Sequence, residues 1–262
     1  MSSSKLVKRL ISSTESAGVK ADIYEITALS LAYDLEGREV TSAHLNAGAP
    51  TVSVVEFEIN NSGLLLEPGA LHYMYGRLDI SVQSAASGGG GFSGMFKRAV
   101  SGESSYLTNV KGTGKVFLEP TKGKYFFGVT LNNESMVADK GLFFAGADSV
   151  QVSAEMQSNV SAALFGGEGL FQTKVTGTGV VIFESPVPAH EIKCVEINNE
   201  KVFVDGNFAV LRTGGVQFAV EKSSKSTMGS SKSGEGLLQT FTGTGRVWLV
   251  PSQDVRTHLG VV

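Results

Sequence analysis

The sequence predicts an all-β protein of three tandem antiparallel β-sandwich-like repeats, each about 65 residues, in a pseudo-threefold arrangement. Three observations carry this expectation. The 262 residues are 42% hydrophobic and 18% charged with 32 glycines and 6 prolines, too apolar for disorder and too glycine-rich for a helical bundle. The triplet Gly-Thr-Gly recurs with its first glycine at 112, 177 and 243, intervals of 65 and 66 residues. Period-two apolar alternation precedes each triplet, at Leu78, Ile80, Val82, at Val150, Val152, Ala154 and at Val216, Phe218, Val220, as a strand with one face in a core requires.

The elements follow in order. Residues 1–50 form an N-terminal extension. Its first part, "MSSSKLVKRLISSTESAG", lacks the apolar core and cleavage site of a secretory signal. Its serines and basic residues weakly resemble a mitochondrial presequence, and a short helix or a frayed tail is the plainer expectation. Residues 19–50 are expected to add strands or cover a sheet edge. Repeat 1 spans 51–120, repeat 2 121–186 and repeat 3 187–253, the three together forming one compact domain, and 254–262 is a C-terminal tail. Within each repeat a glycine (Gly69, Gly141, Gly206) opens the segment that ends in the alternating strand. Each then passes through the glycine triplet to a short apolar run: Val116-Phe117-Leu118, Val181-Ile182-Phe183 or Val247-Trp248-Leu249. Pro120, Pro186 and Pro251 close these runs.

The triplets Gly112/Gly114, Gly177/Gly179 and Gly243/Gly245 are expected to be structural. A Walker-type phosphate loop needs G-x-x-x-x-G-K-[ST] leading into a helix. "NVKGTGKVFLEP" has Asn109 at the first glycine position, Val116 at the hydroxyl position and a strand after it. The dinucleotide fingerprint fails as well, since Phe117, Ile182 and Trp248 stand at its third glycine. Glycine inside a strand pair marks a bulge, a bend or a close backbone approach, and a repeated fold keeps its bends in every copy.

No catalytic, cofactor or metal constellation emerges. His44, His72, His190 and His258 lack metal spacing, and Cys194 has no second cysteine. If "HEIKCVEIN" is a strand, His190 and Cys194 stand about 13 Å apart, too far for a Cys/His pair, and a buried, inert thiol is expected. "GFSGM" is not a nucleophile elbow. Glu103, Glu168 and Glu235 recur with the repeat, which favours a structural role at a turn. The long connections hold the candidate contact residues Phe92, Met95, Phe96, Leu164 and Phe165. Large apolar side chains in glycine- and serine-rich segments suit contact with a protein partner or a membrane surface, unless they fold back on the core.

The segments "LLLEPGALHYMYGRLDI" (64–80), "GGGGFSGMFKRAVSGESSYLTN" (88–109) and "GEGLLQTFTGTGRVWL" (234–249) resemble the family named after altered inheritance of mitochondria protein 24, over roughly residues 51–253. The resemblance implies a fold like that of the tryptophan RNA-binding attenuation protein, with β-sandwich units repeated in one chain. It also implies a role in membrane-associated or organellar organisation, and it brings no catalytic residues with it. The first 50 residues depart from the family pattern.

A formal net charge of −3 gives no general attraction to phosphate backbones, so nucleic acid is not the expected partner. The single cysteine and the lack of a membrane-length apolar run suit the cytoplasm, with peripheral membrane contact compatible and a mitochondrial location the lesser alternative. The function expected is that of a non-enzymatic scaffold or interaction protein, possible also as a homo-oligomer, with no cofactor. The alternative is a module that binds a small molecule or nucleic acid between repeats.

Overall fold

The computed structural model describes residues 7–28, 32–33, 39–41, 52–84, 106–122, 124–156, 171–205, 207–222 and 237–252. In chain order the strands are β1 (Val7–Ser16), β2 (Val19–Ala28), β3 (Ala32–Tyr33), β4 (Glu39–Thr41), β5 (Val52–Leu66), β6 (Leu71–Ser84), β7 (Tyr106–Leu118) and β8 (Thr121–Lys122). There follow β9 (Tyr125–Ala138), β10 (Phe143–Ala147), β11 (Val150–Met156), β12 (Phe171–Ser185), β13 (Lys193–Asp205), β14 (Ala209–Thr213), β15 (Gln217–Lys222) and β16 (Leu237–Leu249). The chain is all-β. Among the described residues there is no α-helix, only a 3-10 turn at Ala189–Glu191. Fourteen of the described strands join one large open antiparallel sheet in the order β1-β2-β5-β10-β12-β9-β14-β16-β13, with β6 on β7, β7 and β8 on β5, β11 on β12 and β15 on β16. β3 and β4 pair only with each other.

The N-terminal segment corrects the expectation of a short helix or tail. β1 pairs with β2 from Val7↔Ala28 to Ser16↔Val19 across the two-residue turn Ala17-Gly18. Both turn residues have positive φ, 50° and 79°, the backbone twist that lets a two-residue turn join right-twisted strands. β2 then pairs with the first half of β5, and Val19, Ala21 and Ile23 enter the core.

β5 shows how burial tracks the sheet. Its first half alternates, with Val55, Phe57 and Ile59 buried, whereas Leu64, Leu65 and Leu66 are buried consecutively. A continuous buried run means that both faces are covered. At this end β5 lies between β7 and β10, and Leu64 and Leu66 join one core cluster while Leu65 joins another.

The glycine triplets lie inside continuous strands, each facing a bulge. Opposite Gly112–Gly114 the pairing jumps from Ile59 to Ser62, and opposite Gly177–Gly179 from Leu131 to Glu134. Opposite Gly243–Gly245 it skips Asn199. The extra residue is asparagine each time, Asn61, Asn133 or Asn199, at φ of 48°, 53° and 55°. Asparagine tolerates this left-handed region better than most residues. The backbone N–H of each asparagine donates to the hydroxyl of the triplet threonine: Thr113 at 2.9 Å, Thr178 at 2.9 Å and Thr244 at 3.1 Å. The glycines themselves let the neighbouring backbone approach. A Cβ on Gly112 would overlap the Arg77 carbonyl oxygen, and one on Gly177 would sit 2.9 Å from that of Ser149.

One alternation behaves otherwise. Val150, Val216 and Phe218 are buried as expected, but Ile80 and Val82 are 53% and 73% exposed. Among the described residues β6 pairs only with β7, at one end of the sheet, and no described strand covers that face.

Candidate functional site

The described residues place their most perturbed ionisable groups in a buried polar cluster where β9, β11, β12 and β14 converge. Arg212 on β14 is 3% exposed, an unusual burial for a charge. Its Nε donates to the Val216 carbonyl at 3.1 Å and one terminal nitrogen to Gln172 Oε1 at 2.6 Å. Its other terminal nitrogen lies 3.6 Å from Glu155, and the guanidinium stands 5.6 Å from the Phe218 ring centre. Gln172 relays the contact, its Nε2 donating to Asp139 Oδ1 at 2.7 Å. Burial pushes the Asp139 carboxyl up from 3.8 to about 6, with the Gln172 hydrogen bond and the Arg212 charge pulling the other way. Burial lowers Arg212, with Glu155 and Asp139 opposing.

Perturbed groups of this kind mark either an active site or a structural polar network. Here the donors and acceptors are turned toward one another, and the cluster ties β14 to β12 where β14 also pairs with β9. An open depression of about 360 Å³ on the described surface lies instead on the β13–β16 pair, lined by Glu196, Ile197, Asn198, Glu200, Thr244, Gly245 and Arg246. It includes neither Asp139 nor Arg212. Among the described residues no group of three His, Cys, Asp or Glu side chains is placed to hold a metal ion, and no helix is long and apolar enough to cross a membrane.

Cys194 requires a correction. It is exposed, at the start of β13, and not a buried thiol. His190 belongs to the 3-10 turn before the strand, so the two do not share one strand as the spacing argument assumed. Partial burial raises the Cys194 thiol above its ordinary value, Glu196 adding to the rise and Arg246 opposing it. The thiolate that a nucleophile needs is therefore disfavoured.

Gly112, Gly114, Gly177, Gly179, Gly243 and Gly245 all lie at the bulges described above. Phe92, Met95, Phe96, Leu164 and Phe165 lie outside the described residues, as do Glu103, Glu168 and Glu235. The large apolar side chains that the described surface exposes are not the contact residues expected from sequence. They are Tyr73, Tyr75, Ile80 and Val82 on β6, Phe203 on β13, and Leu10 and Ile11 on β1. Tyr73 stacks on Phe117 at 4.2 Å, with Tyr75 at 5.8 Å on the same ring. The periodicity of those on β6 and β13 is that of ordinary strands, and these two strands lie at ends of the sheet among the described residues.

The family model described as Mitochondrial biogenesis AIM24 matches residues 47–252. The chain belongs to the AIM24 family. It is 28% identical over 203 residues to an uncharacterised protein of Streptococcus pyogenes serotype M6, covering 75% of this chain and 80% of that protein. A Streptococcus pyogenes protein solved by X-ray crystallography is similar in fold, with a TM-score of 0.53 and 23% identity over 81% of this chain and 95% of that one.

Proposed function

We propose that this AIM24-family protein is a non-enzymatic scaffold or interaction protein that supports membrane-associated organisation. Three copies of one unit of about 65 residues, in pseudo-threefold relation and similar to the fold of the tryptophan RNA-binding attenuation protein, form its frame. The observation that carries the reading is the contrast between inside and surface. The perturbed polar groups, Asp139 and Arg212, are engaged with each other's neighbours in the interior, while the surface exposes aromatic and branched apolar side chains at Tyr73, Tyr75, Ile80, Val82 and Phe203. Exposed apolar clusters suit partner contacts more than chemistry. The glycine-rich connections with Phe92, Met95, Phe96, Leu164 and Phe165 are the further contact candidates.

A cross-linked pull-down from the native cell tests this, with soluble and membrane fractions quantified separately by mass spectrometry for wild type and for Phe92→Ser/Phe96→Ser. The expected result is a reproducible partner or membrane enrichment that the double variant loses. Wholly soluble recovery without partners, equal for both proteins, would remove the basis of the proposal.

A further inference from the structure

Two places in the sheet join one set of strands to the next, and they are built alike. At the first, Leu64, Leu65 and Leu66 of β5 pair with Ala147, Gly146 and Ala145 of β10. Backbone bonds flank this pairing, from Glu67 N to Phe144 O and from Asp148 N to Gly63 O, both 2.9 Å. At the second, Met136, Val137 and Ala138 of β9 pair with Thr213, Arg212 and Leu211 of β14. The flanking bonds run from Asp139 N to Val210 O at 2.9 Å and from Gly214 N to Ser135 O at 2.7 Å.

Internal markers fix the equivalent positions elsewhere. The paired residues on β5 and β9 begin three after the positive-φ asparagines Asn61 and Asn133, so on β13 they begin three after Asn199, at Val202-Phe203-Val204. On the other side, Glu119 N, Glu184 N and Val250 N bond to the carbonyls of Ala70, Leu142 and Phe208. The paired residues of β10 and β14 begin three after Leu142 and Phe208, so on β6 they begin three after Ala70, at Tyr73-Met74-Tyr75.

These two triplets are the matching halves of a third junction, and each lies on a strand at an end of the open sheet. Tyr73, Tyr75 and Phe203, 50%, 57% and 54% exposed, are on them. The core gives the same indication. The first two clusters draw residues from both sides of a junction, as with Ala145 and Ala147 beside Leu64 and Leu66, whereas the third is assembled from residues of β13 to β16 and their turns alone.

We propose that the outer edge of β6 pairs antiparallel with the outer edge of β13 of a second copy of this chain, Tyr73 opposite Val204, Met74 opposite Phe203 and Tyr75 opposite Val202. The two existing junctions set this register, and flanking bonds from Asp205 N to His72 O and from Gly76 N to Lys201 O complete it. One residue further, Glu200 faces Arg77, an opposite-charge pair, as Lys111–Asp148 and Arg246–Glu134 are opposite-charge pairs bridging the first and second junctions. The partner is a second copy because the two edges terminate opposite ends of one open sheet. Unpaired edges with exposed aromatic side chains are templates for strand addition. The contact is head-to-tail, so two copies using both edges close a ring and further copies extend it. The inference goes beyond the scaffold reading: assembly and partner binding stand or fall separately.

The test uses full-length chains carrying Cys194→Ser. Met74→Cys in one chain and Phe203→Cys in another, mixed and mildly oxidised, are expected to give a disulfide-linked pair of twice the chain mass that neither gives alone. By sedimentation, wild type is expected to associate reversibly with concentration. Phe203→Lys, at an exposed position that leaves the circular dichroism spectrum unchanged, is expected to weaken this at least tenfold. A monomer at every concentration, or no mixed cross-link, would overturn the proposal. So would a double-cysteine chain that closes on itself as a monomer at high dilution. The loop variant Phe92→Ser/Phe96→Ser keeps both edges, so loss of partners there with self-association intact separates the two readings.

Discussion

Replacing Asp139 by asparagine isolates the buried charge of the polar cluster. Asn keeps an oxygen that accepts from Gln172 Nε2, now at 2.7 Å, and changes the volume little. What it removes is a carboxylate whose folded-state value lies at about 6, against 3.8 ordinarily, because burial disfavours its charge. The folded state thus binds the proton more tightly than the unfolded chain does, and stability falls as pH rises from about 4 to about 6. At about 1.4 kcal/mol per pH unit, the rise from 3.8 to about 6 amounts to roughly 3 kcal/mol, fully present above about pH 6. The attraction of Arg212 is already contained in that figure. Urea unfolding of wild type and Asp139→Asn across about pH 4 to 7.5 should show the variant roughly 3 kcal/mol more stable at the upper end, with the difference vanishing toward pH 4. The difference between the two proteins cancels every other titration. A variant less stable than wild type at pH 7.5, or a difference that does not change with pH, would refute the account of Asp139 as a carboxylate raised by burial.

Arg212→Met leaves the buried Asp139 without its counter-charge, while Glu155 keeps Lys174 at 2.8 Å, and should destabilise by roughly 3–5 kcal/mol in urea unfolding, more above pH 6 than below, because Asp139 then rises further. Alanine at the first triplet glycines should destabilise in the order Gly112, Gly177, Gly243, since the added Cβ overlaps the Arg77 oxygen in the first, meets the Ser149 oxygen at 2.9 Å in the second and the Gly215 oxygen at 3.4 Å in the third. Thermal melts of the three variants check that ranking. Thr178→Val takes away the acceptor of the Asn133 N–H and should cost about 1 kcal/mol by the same measurement. Cys194, exposed but with its thiol raised, should react with iodoacetamide more slowly than a free thiol at pH 7.5 and accelerate as pH is raised, followed by intact mass.

What was legible in the sequence was legible where one residue type answers one local demand. Glycine at 112, 177 and 243 stands where a strand backbone crosses close to a carbonyl oxygen, a local demand that the recurring triplet displays in the sequence. The asparagines that complete the bulges were unremarked, although each is the second residue of an Asn-Asn pair in a strand: Asn60-Asn61, Asn132-Asn133, Asn198-Asn199. β1 was misread because Ala17-Gly18 is not among the usual hairpin turn pairs and the strand before it is dominated by serine and basic residues. Arg212 left one trace, a charge directly after the apolar Ala209-Val210-Leu211, but its partners are distant. Gln172 is 40 residues away, and Asp139 a further 33 from Gln172, beyond any local pattern.

The comparison of β6 with its counterparts shows why the limit is physical. Gly76, Asp148 and Gly214 occupy equivalent positions, yet β6 runs unbroken from Leu71 to Ser84 while the chain breaks between β10 and β11 and between β14 and β15. A glycine at this position does not by itself set the break, since Gly76 and Gly214 are the same residue type. What differs is the neighbour: Asp148 N is held by Gly63 O and Gly214 N by Ser135 O, which draws β10 and β14 out of line with β11 and β15 toward β5 and β9. Among the described residues Gly76 has no such strand beside it, and β6 stays in register with β7 through Gly114. A strand break set by a neighbour moves with that neighbour. Pairing of β6 with the β13 of another copy is therefore expected to break β6 at Gly76. Amide hydrogen exchange should then show protection gained at Gly76 and Asp205 with rising protein concentration, and unchanged exchange at both would mean that β6 keeps its unbroken form.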